Sequence, residues 1–419
     1  MSAIDVLVVG AGPAGATAAR ALAVGGARVT LVDRATFPRN KACGGAISVR
    51  ALARFPYLRT ALDRIPTHWL SRLHLESPNG TSALLTSPSP AALMIRRVEF
   101  DDLLVGLAVE AGVDLIEGVE IAQASETADG VDLRARDGRV FRATLVVAAD
   151  GVYSVVARRL GVNPGWAAAA VALDMMEETP NDTLTSVDPQ TLWLSYGYGG
   201  SEGYAYVFPK RHHVNVGVGY VLDYFRTQVN AAPYHVQSSL IDVLRSRGVL
   251  SGLSSRAHFT PYQIPVGGPM KRTSTNRVLF AGDAGGFVNG ITAEGIYYAM
   301  VSGDLAARAL LGAGPSAYRR LWTREIGGEL RDAVLVQRDL LTTPERIDRL
   351  VAGARGAPDL AAHVIQYAMG ETSYQSARRR LLAAAPLAAV RLFIRHFRGT
   401  TAARPTLVAA QLPGSRIEI

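Results

Sequence analysis

The first part of the chain alternates long apolar runs with a glycine-rich turn. Residues 4–34 are "IDVLVVGAGPAGATAARALAVGGARVTLVDR". Each continuous apolar run predicts a buried strand, and the alanine-rich stretch between the two runs predicts one helix. The order of strand, helix and strand therefore predicts a βαβ unit at the start of the chain.

The hydrophobic pattern changes in the middle of the chain and later returns. Apolar residues three and four apart predict a helix that begins near residue 97, and the apolar run 145–149 predicts a buried strand. Short alternating segments with many glycines and tyrosines fill residues 167–269 and predict a separate β-rich lobe. The strand, turn and helix pattern resumes near residue 276, and the chain beyond 313 is predicted to be helical.

These patterns predict an α/β fold in which a Rossmann-type cofactor-binding domain is interrupted by a β-sheet substrate domain. A helical region follows at the end of the chain. The cofactor-binding domain is assigned to residues 1–66, 97–166 and 270–312, the substrate domain to 67–96 and 167–269, and the helical region to 313–419.

The composition is that of a globular protein with a large core. Hydrophobic residues make up 48% of the chain and charged residues 19%, which excludes a disordered protein. The single cysteine cannot form an internal disulfide, and the first residues lack a secretion signal, so a cytoplasmic location is expected. No apolar run is long enough to predict a membrane-spanning helix.

Most of the net charge of +8 lies near the end of the chain. From Thr372 onward there are eight arginines and one acidic residue, Glu418, so the rest of the chain is nearly neutral. A nucleic-acid-binding function is therefore not predicted. The stretch "RRRLLAAAPLAAVRLFIRHFRG" could contact a membrane peripherally, or it could pack on the protein with its arginines in water; both interpretations stay open.

The glycine turn between the first two strands has the spacing of a dinucleotide-binding site. Gly10 and Gly12 allow a tight turn and close approach of a pyrophosphate, and Gly15 allows the helix to pack on the strand. The helix begins near Pro13 and directs its positive end at the phosphates. Asp33 closes the second strand, where it could accept hydrogen bonds from a ribose.

A second glycine-rich turn occurs late in the chain and bears on the identity of the cofactor. The pattern G-x-G-x-x-G, formed by Gly10, Gly12 and Gly15, occurs once in the sequence. Separate flavin and nicotinamide domains are therefore not expected. Asp283 ends an apolar run in "LFAGDAGG", where it could hold a ribityl or ribose hydroxyl. Gly295 and Ile296 begin a predicted helix, whose free N–H groups could stabilise negative charge on a reduced flavin.

Together these motifs resemble the FAD-dependent oxidoreductases built on the p-hydroxybenzoate hydroxylase plan. The resemblance rests on the first glycine turn with Asp33, on Arg97 in "RVEFD", on "ADG" at 149–151 and on "GDAGG" at 282–286. It implies FAD as cofactor, with Asp283 and Arg97 helping to hold it. The expected cofactor-binding residues are Gly10, Gly12, Pro13, Ala14, Gly15, Asp33, Arg34, Lys41, Cys43, Gly44, Gly45, Arg97, Asp150, Asp283, Gly285, Gly295 and Ile296.

Within that group the chain resembles the geranylgeranyl reductase family, which saturates double bonds of isoprenoid chains. The stretches "KACGGAIS", "YAYVFPKRHHVNVGVG" and "FVNGITAEGIYYAM" carry this resemblance, which covers about residues 1–310. The family usually has tryptophan where this chain has Tyr206, and its late loop N-P-I-T-G-E-G is changed to Gly290 and Ala293. Losing the proline loosens the loop, and Ala293 fits unless its backbone needs a positive φ.

The implied reaction, saturation of an isolated double bond, needs an acid as well as a reduced flavin. Cys43 is favoured to relay a proton or gate access to the flavin, and the alternative is that it is a small buried filler. Water or a tyrosine could also supply the proton. The predicted catalytic residues are therefore Cys43, Tyr204 and Tyr206.

Tyr204, Tyr206 and Phe208 alternate along one predicted strand, which places them on a single face. They are expected to line an apolar slot for a polyprenyl chain, unless they simply pack on the core. Lys210 ends the strand and could meet a phosphate head group or remain solvated. His212 and His213 have no further ligands at metal-binding spacing, so no metal site is predicted.

The most favoured function is an FAD-dependent reductase of carbon–carbon double bonds in an isoprenoid lipid, prenyl diphosphate or prenylquinone. NADPH or a ferredoxin-like protein would supply the electrons. The first alternative is an FAD-dependent aromatic or terpenoid monooxygenase on the same fold. A second alternative, from another class, is a flavin-containing binding or maturation partner with no small substrate.

Overall fold

The computed structural model describes residues 4–200, 202–339, 341–356, 362–363, 365–367 and 371–384. The chain divides into two compact units. The first consists of Met1–His68, Leu93–Ala172 and Pro261–Val334, and the second of Trp69–Ala92, Leu173–Thr260 and Leu335–Ile419. Residues 313–334, which the sequence pattern assigns to a separate helical region, lie in the first unit.

The strands are short, as expected for apolar runs bounded by turns. In chain order they are β1 (Ile4–Val9), β2 (Val29–Val32), β3 (Ala46–Ser48), β4 (His68–Leu70), β5 (Arg72–Glu76), β6 (Ser82–Thr86), β7 (Ala92–Met94), β8 (Asp114–Ile116), β9 (Ile121–Glu126), β10 (Val131–Ala135), β11 (Val140–Ala148), β12 (Ala172–Pro180), β13 (Leu184–Ser186), β14 (Thr191–Tyr196), β15 (Gly203–Pro209), β16 (His213–Val221), β17 (Leu250–Gly252), β18 (Phe259–Ile264) and β19 (Val278–Phe280).

The helices include several of a single turn. In chain order they are α1 (Pro13–Val24), α2 (Arg50–Arg54), α3 (Leu58–Ala61), α4 (Arg97–Glu110), α5 (Val155–Arg159), α6 (Leu222–Tyr224), α7 (Pro233–Ser246), α8 (Ile296–Leu311), α9 (Tyr318–Trp322), α10 (Gly328–Asp339), α11 (Pro344–Gly356) and α12 (Tyr374–Ala384). Ser154 caps α5 by accepting a hydrogen bond from the Ala157 N–H at 3.0 Å.

The first unit is built on a mostly parallel sheet. Its strand order is β8-β2-β1-β11-β10-β9, and β19 pairs in parallel with β11. The strands β8, β2, β1 and β11 run parallel to their neighbours, whereas β9, β10 and the first half of β11 form an antiparallel meander. Helices α1, α4 and α8 pack together, and their buried faces form the main core with one face of the sheet. This confirms the predicted α/β fold class.

The second unit is built on a sheet in which β16 and β15, β15 and β14, and β5 and β6 pair antiparallel. The strand order is β18-β12-β16-β15-β14-β5-β6, in which β14 and β5 run parallel. Trp193, Val207 and Val216 share a buried core with Leu240 and Leu244 of α7. Because side chains alternate along a strand, the other face of β15 carries Tyr204, Tyr206 and Phe208.

Within the described residues, no helix is both long and apolar enough to cross a membrane. Most of the basic stretch proposed for peripheral membrane contact, from residue 385 onward, lies outside the described residues.

Candidate functional site

The first glycine turn of the first unit joins β1 to α1 and leaves space for a ligand. Gly10 has φ of +95°, and a Cβ on Gly15 would lie 1.8 Å from the Gly10 carbonyl oxygen. Both positions therefore require glycine for the turn itself. A Cβ on Gly12 would meet nothing closer than Arg39 Nη2 at 3.8 Å, so the space beside Gly12 is not filled by the protein.

The start of α1 presents uncapped N–H groups beside this space. Gly12 is the N-cap residue and supplies no side chain, and Pro13 occupies the first turn. The positive end of the helix and its free N–H groups suit a phosphate. Ala14 and Gly15 lie in this first turn, as the glycine spacing predicts.

Asp33 holds the turn and is available to a ribose. Its carboxylate accepts hydrogen bonds from the Ala11 N–H at 2.6 Å and the Ala35 N–H at 2.8 Å. Each oxygen keeps a second lone pair that a ribose hydroxyl could use. The next residue, Arg34, is exposed.

Arg97 belongs to a buried charge cluster rather than to the surface of α4. It donates two hydrogen bonds of 2.6 Å to Asp101, one turn along the helix, and Arg39 Nη1 lies 2.8 Å from the same carboxylate. Burial lowers the pKa of Arg97, but the charge of Asp101 and hydrogen bonds to Asp101 and Cys43 outweigh it, so this pKa is raised. Arg97 therefore stays charged.

This cluster also fixes the cysteine loop. The half-buried Cys43 Sγ accepts a hydrogen bond from the Gly45 N–H at 3.4 Å, besides its hydrogen bond with Arg97. Gly45 has φ of +74°, and Gly44 links it to the cysteine. Arg39 and Asp101 were not singled out from the sequence, although the spacing of Arg97 and Asp101 is that of a helical ion pair.

Lys41, Asp283 and the start of α8 come together in the first unit. Lys41 Nζ lies 3.7 Å from Asp283 Oδ2 and 4.8 Å from the centre of the Tyr262 ring. A Cβ on Gly295, the N-cap residue of α8, would lie 3.7 Å from Asp283 Oδ1. Ile296, the first residue of α8, is buried, and Gly285 lies in the turn that contains Asp283. Three separate sequence motifs thus meet here.

The loop before α8 contains a residue in an unfavourable backbone conformation. Ala293 has φ of +54°, the left-handed region that a glycine would adopt without strain. The loop is held by the Asn289 side chain, which accepts hydrogen bonds from the Ile291 and Thr292 N–H groups at 2.9 and 3.2 Å. From the sequence, Ala293 is expected to fit unless its backbone needs a positive φ. Its φ is positive, so alanine is strained at this position.

A buried ionic network fixes the other side of this loop. Arg50 lies 3.4 Å from Glu294 and 3.1 Å from Glu329, and it donates a hydrogen bond of 2.8 Å to the Tyr298 hydroxyl. Burial raises the pKa of Glu294, and the charge of Arg50 opposes this rise. The partners lie 244 and 279 residues from Arg50, so no local pattern predicts the network.

Asp150, in the "ADG" motif, has a buried oxygen without a hydrogen-bond partner. Its Oδ2 accepts a hydrogen bond from the Val156 N–H at 3.1 Å, whereas its Oδ1 is buried and unpaired. Burial raises the pKa of this carboxyl. With the open space at Gly12, the uncapped helix and the nearby Arg39, this unpaired oxygen makes a donor and acceptor set that fits FAD.

In the second unit, the predicted aromatic residues form one continuous row. The ring centres are 5.3 Å apart for Tyr196 and Tyr204, 5.7 Å for Tyr204 and Tyr206, and 4.5 Å for Tyr206 and Phe208. Tyr196 joins the row because β14 pairs it directly with Tyr204. Burial raises the pKa of Tyr196 to about 12. The row therefore consists of aromatic rings that are buried at Tyr206 and Phe208 and partly buried at Tyr196 and Tyr204.

Tyr206 reaches across β16 to a carboxyl on β12. Its hydroxyl lies 3.1 Å from Asp174 Oδ2, and both residues are buried. A Cβ on Gly217 would lie 2.2 Å from the Tyr206 ring, so glycine at this position leaves the path open. Burial raises the pKa of Asp174 to about 7, although the Tyr206 hydrogen bond opposes the rise. Asp174 was missed from the sequence, where a lone acid in "VALDMM" gives no indication of its partner.

The side chain of Lys210, which follows β15, is not exposed to solvent. It is buried and forms an ion pair with Glu178 of β12. Its charge is therefore compensated inside the second unit, which does not favour the predicted contact with a phosphate head group.

The sequence of this chain is similar to an FAD-binding family and to proteins named as reductases. The family described as FAD binding domain matches residues 3–310. A menaquinone reductase of Mycolicibacterium smegmatis is 31% identical over 331 residues, which are 76% of this chain and 79% of that protein. Digeranylgeranylglycerophospholipid reductase 1 of Methanothermobacter thermautotrophicus is 30% identical over 365 residues, 81% of this chain and 87% of that protein.

Among solved structures, a geranylgeranyl bacteriochlorophyll reductase-like protein from Thermoplasma acidophilum shares the fold. The TM-score is 0.73 at 21% identity, and the match covers 90% of this chain and 98% of the other. At this identity the likeness concerns the fold.

Proposed function

Because the chain belongs to the FAD binding domain family and, within it, to the geranylgeranyl reductase family of flavin-dependent oxidoreductases, we propose that it saturates carbon–carbon double bonds of an isoprenoid chain. The chain would be carried by a lipid, a prenyl diphosphate or a prenylquinone. The observation that carries this proposal is the aromatic row of the second unit, formed by Tyr196, Tyr204, Tyr206 and Phe208. Such a row of rings suits an apolar polyprenyl chain and could stabilise a cation-like centre through the ring faces.

The first unit would hold FAD through the residues that surround the glycine turn. The uncapped start of α1, with Gly12 and Arg39 beside it, would bind the pyrophosphate. Asp33 would hold a ribose hydroxyl, and Asp283 with Lys41 would lie at the flavin end. Bound and reduced, FAD would supply the hydride for the reduction.

The loop that contains Cys43 would shape the site or relay a proton, and the Cys43 thiol would not be the acid that protonates the double bond by itself. Arg97 and the Gly45 N–H fix the Cys43 sulfur, which favours a role in shaping the site or relaying a proton. A thiol is a weak acid toward an unactivated double bond, so the proton would come from a stronger or better placed donor. Replacing Cys43 with alanine would test the loop without breaking the ion pair of Arg97 and Asp101.

The experiment that tests the proposed function is anaerobic. The purified FAD-loaded protein is reduced chemically, and geranylgeranyl diphosphate or a prenylated quinone is added in separate vials. A gain of two hydrogens per step, together with reoxidation of the flavin, is the expected result. A flavin that stays reduced until air enters, with oxygen appearing in the product, would overturn it in favour of a monooxygenase.

The electron donor is proposed to be NADPH or a ferredoxin-like protein, since the chain has one dinucleotide-binding motif. The rate of flavin reduction by NADPH, measured without substrate, separates these two donors. Fast reduction favours transient NADPH binding, and failure of NADPH to reduce the flavin favours a protein donor.

A further inference from the structure

The loop that leads into α8 has little conformational preference of its own for the shape that it adopts. Ala293 has φ of +54°, which is strained for alanine, and Gly295 supplies no side chain to cap the helix. The first N–H groups of an α-helix have no partner within the helix, so their direction depends on how the chain enters it. A Cβ on Gly295 would lie 3.7 Å from Asp283 Oδ1, so this entry lies at the end of the site proposed for the flavin.

Glu294 joins this loop to the segment that follows the loop containing Cys43. Its Oε1 accepts a hydrogen bond from the Ser48 N–H at 3.2 Å, and its Oε2 lies 3.4 Å from Arg50 Nη2. Ser48 ends β3, which begins directly after Gly45, the residue whose N–H binds the Cys43 sulfur. Ser48 and Glu294 are 246 residues apart in the sequence, so one carboxylate joins two distant loops.

Arg50 is held by partners other than Glu294. Its Nη1 donates hydrogen bonds of 3.1 and 3.2 Å to Glu329 of α10, and its Nη2 donates one of 2.8 Å to the Tyr298 hydroxyl. Its guanidinium also lies 4.0 Å from the centre of the Tyr297 ring. Removing the Glu294 carboxylate therefore leaves Arg50 in place, whereas the loop loses its contacts with Arg50 and with β3.

Resting on the proposed FAD site, we infer that Glu294 is a positioning residue for the flavin. It holds the loop so that the free N–H groups at the start of α8 are available to the flavin, which carries more negative charge after reduction. These N–H groups then favour the reduced form of FAD over the oxidised form. Glu294 acts through the loop, because Arg50 lies close enough to offset much of the carboxylate charge.

Two effects of Glu294 on the reduction potential of FAD have opposite signs. A carboxylate near the flavin disfavours added negative charge, so removing that charge alone would raise the potential. Loss of the loop geometry withdraws N–H groups that favour the reduced form, so it would lower the potential. The sign of the change therefore separates a positioning role from a direct electrostatic one.

The first measurement is the reduction potential of the bound FAD, determined anaerobically against a reference dye. We expect Glu294→Ala to weaken the binding of reduced FAD about tenfold more than that of oxidised FAD, which lowers the potential by about 30 mV. Glu294→Gln keeps an oxygen that can accept from the Ser48 N–H, so its potential should lie closer to that of the unaltered protein. An unchanged or raised potential in Glu294→Ala would overturn the inference.

Glu329→Gln is the matched control. Glu329 shares Arg50 with Glu294 and is also largely buried, but it lies on α10 and contacts the Tyr298 hydroxyl rather than the loop. We expect Glu329→Gln not to lower the potential of FAD. A fall as large as that in Glu294→Ala would mean that the network as a whole sets the potential, and it would overturn the specific role of Glu294.

The second measurement is hydrogen–deuterium exchange of the protein with FAD in excess, which needs no turnover. Glu294→Ala should speed exchange about tenfold in peptides that contain residues 46–50 and 289–296, and Glu329→Gln should not. Exchange that Glu294→Ala leaves unaltered would contradict the hold on the loop. An unaltered protein that binds no FAD would overturn both the proposed FAD site and this inference, whereas FAD binding without reduction of any isoprenoid would overturn the proposed reaction alone.

Discussion

Replacing Asp174 with asparagine should stabilise the protein above pH 7 and change its stability little near pH 4. Burial raises the pKa of this carboxyl from 3.8 to about 7, so the folded state disfavours its charged form. When the pKa of a group is higher in the folded than in the unfolded state, its contribution to the free energy of unfolding is fully present below the unfolded-state pKa. That contribution is lost as the pH rises through the folded-state pKa. The loss therefore develops between about pH 4 and pH 7.

The magnitude follows from the two pKa values. A difference of about three in pKa, at about 1.4 kcal/mol for each unit, corresponds to about 4 kcal/mol. Asp174 is 7% exposed, so solvent screens this penalty little. Asparagine has nearly the same shape and can keep the hydrogen bond to Tyr206, so the variant should regain most of this free energy above pH 7.

The assay is urea unfolding of the FAD-loaded protein and of Asp174→Asn at several pH values between 4 and 8. Glu76 provides a control of opposite sign in the same unit. Burial raises the pKa of Glu76, but hydrogen bonds from His74 and Arg247 outweigh it and lower the pKa to about 2. The stabilising contribution of Glu76 to the free energy of unfolding is present above the unfolded-state pKa and is lost as the pH falls. Glu76→Gln should therefore destabilise the protein at pH 8. A pH-independent effect of Asp174→Asn would refute the reasoning.

Four further substitutions test the first unit. Ala293→Gly should raise the free energy of unfolding by about 1 kcal/mol, because it relieves the left-handed backbone; a lower urea midpoint would contradict this. Arg50→Ala should lower that free energy by about 3–5 kcal/mol, because it leaves two buried glutamates uncompensated; an unchanged midpoint would argue against the network. Gly12→Ala should weaken FAD binding at least about tenfold, measured by fluorescence titration, while the FAD-free protein unfolds as before. Gly15→Ala should instead destabilise the FAD-free protein, since its Cβ would lie 1.8 Å from a carbonyl oxygen.

The cofactor-binding part of the fold is predictable because its determinants are local. The apolar runs of β1 and β2 and the spacing of Gly10, Gly12 and Gly15 lie within a stretch of about thirty residues. Asp33 needs only the register of β2 beside β1 to reach the Ala11 N–H. Each of these positions has one conformation that the neighbouring sequence already favours.

The charged partners of the site are not predictable in the same way. Arg50 meets Glu329 across 279 residues, and Arg39 meets Asp101 only after α4 has packed in the first unit. The pairing of Tyr206 with Asp174 depends on the order of three strands and on a glycine in the middle one. A single sequence contains the alternation of side chains along each strand but not the order in which the strands pair.

The late loop shows that a departure from the family sequence pattern need not change the backbone. Ala293 replaces the usual glycine, yet it adopts a φ of +54°, the conformation that glycine would favour. The hydrogen bonds of Asn289 and the contacts of Glu294 with Ser48 and Arg50 fix the loop on both sides. Strain of about 1–2 kcal/mol at one residue is smaller than the free energy of these combined contacts, so the loop keeps its shape. The geometry before α8 is therefore set by the partners of the loop, and Ala293 adds strain without redirecting the chain.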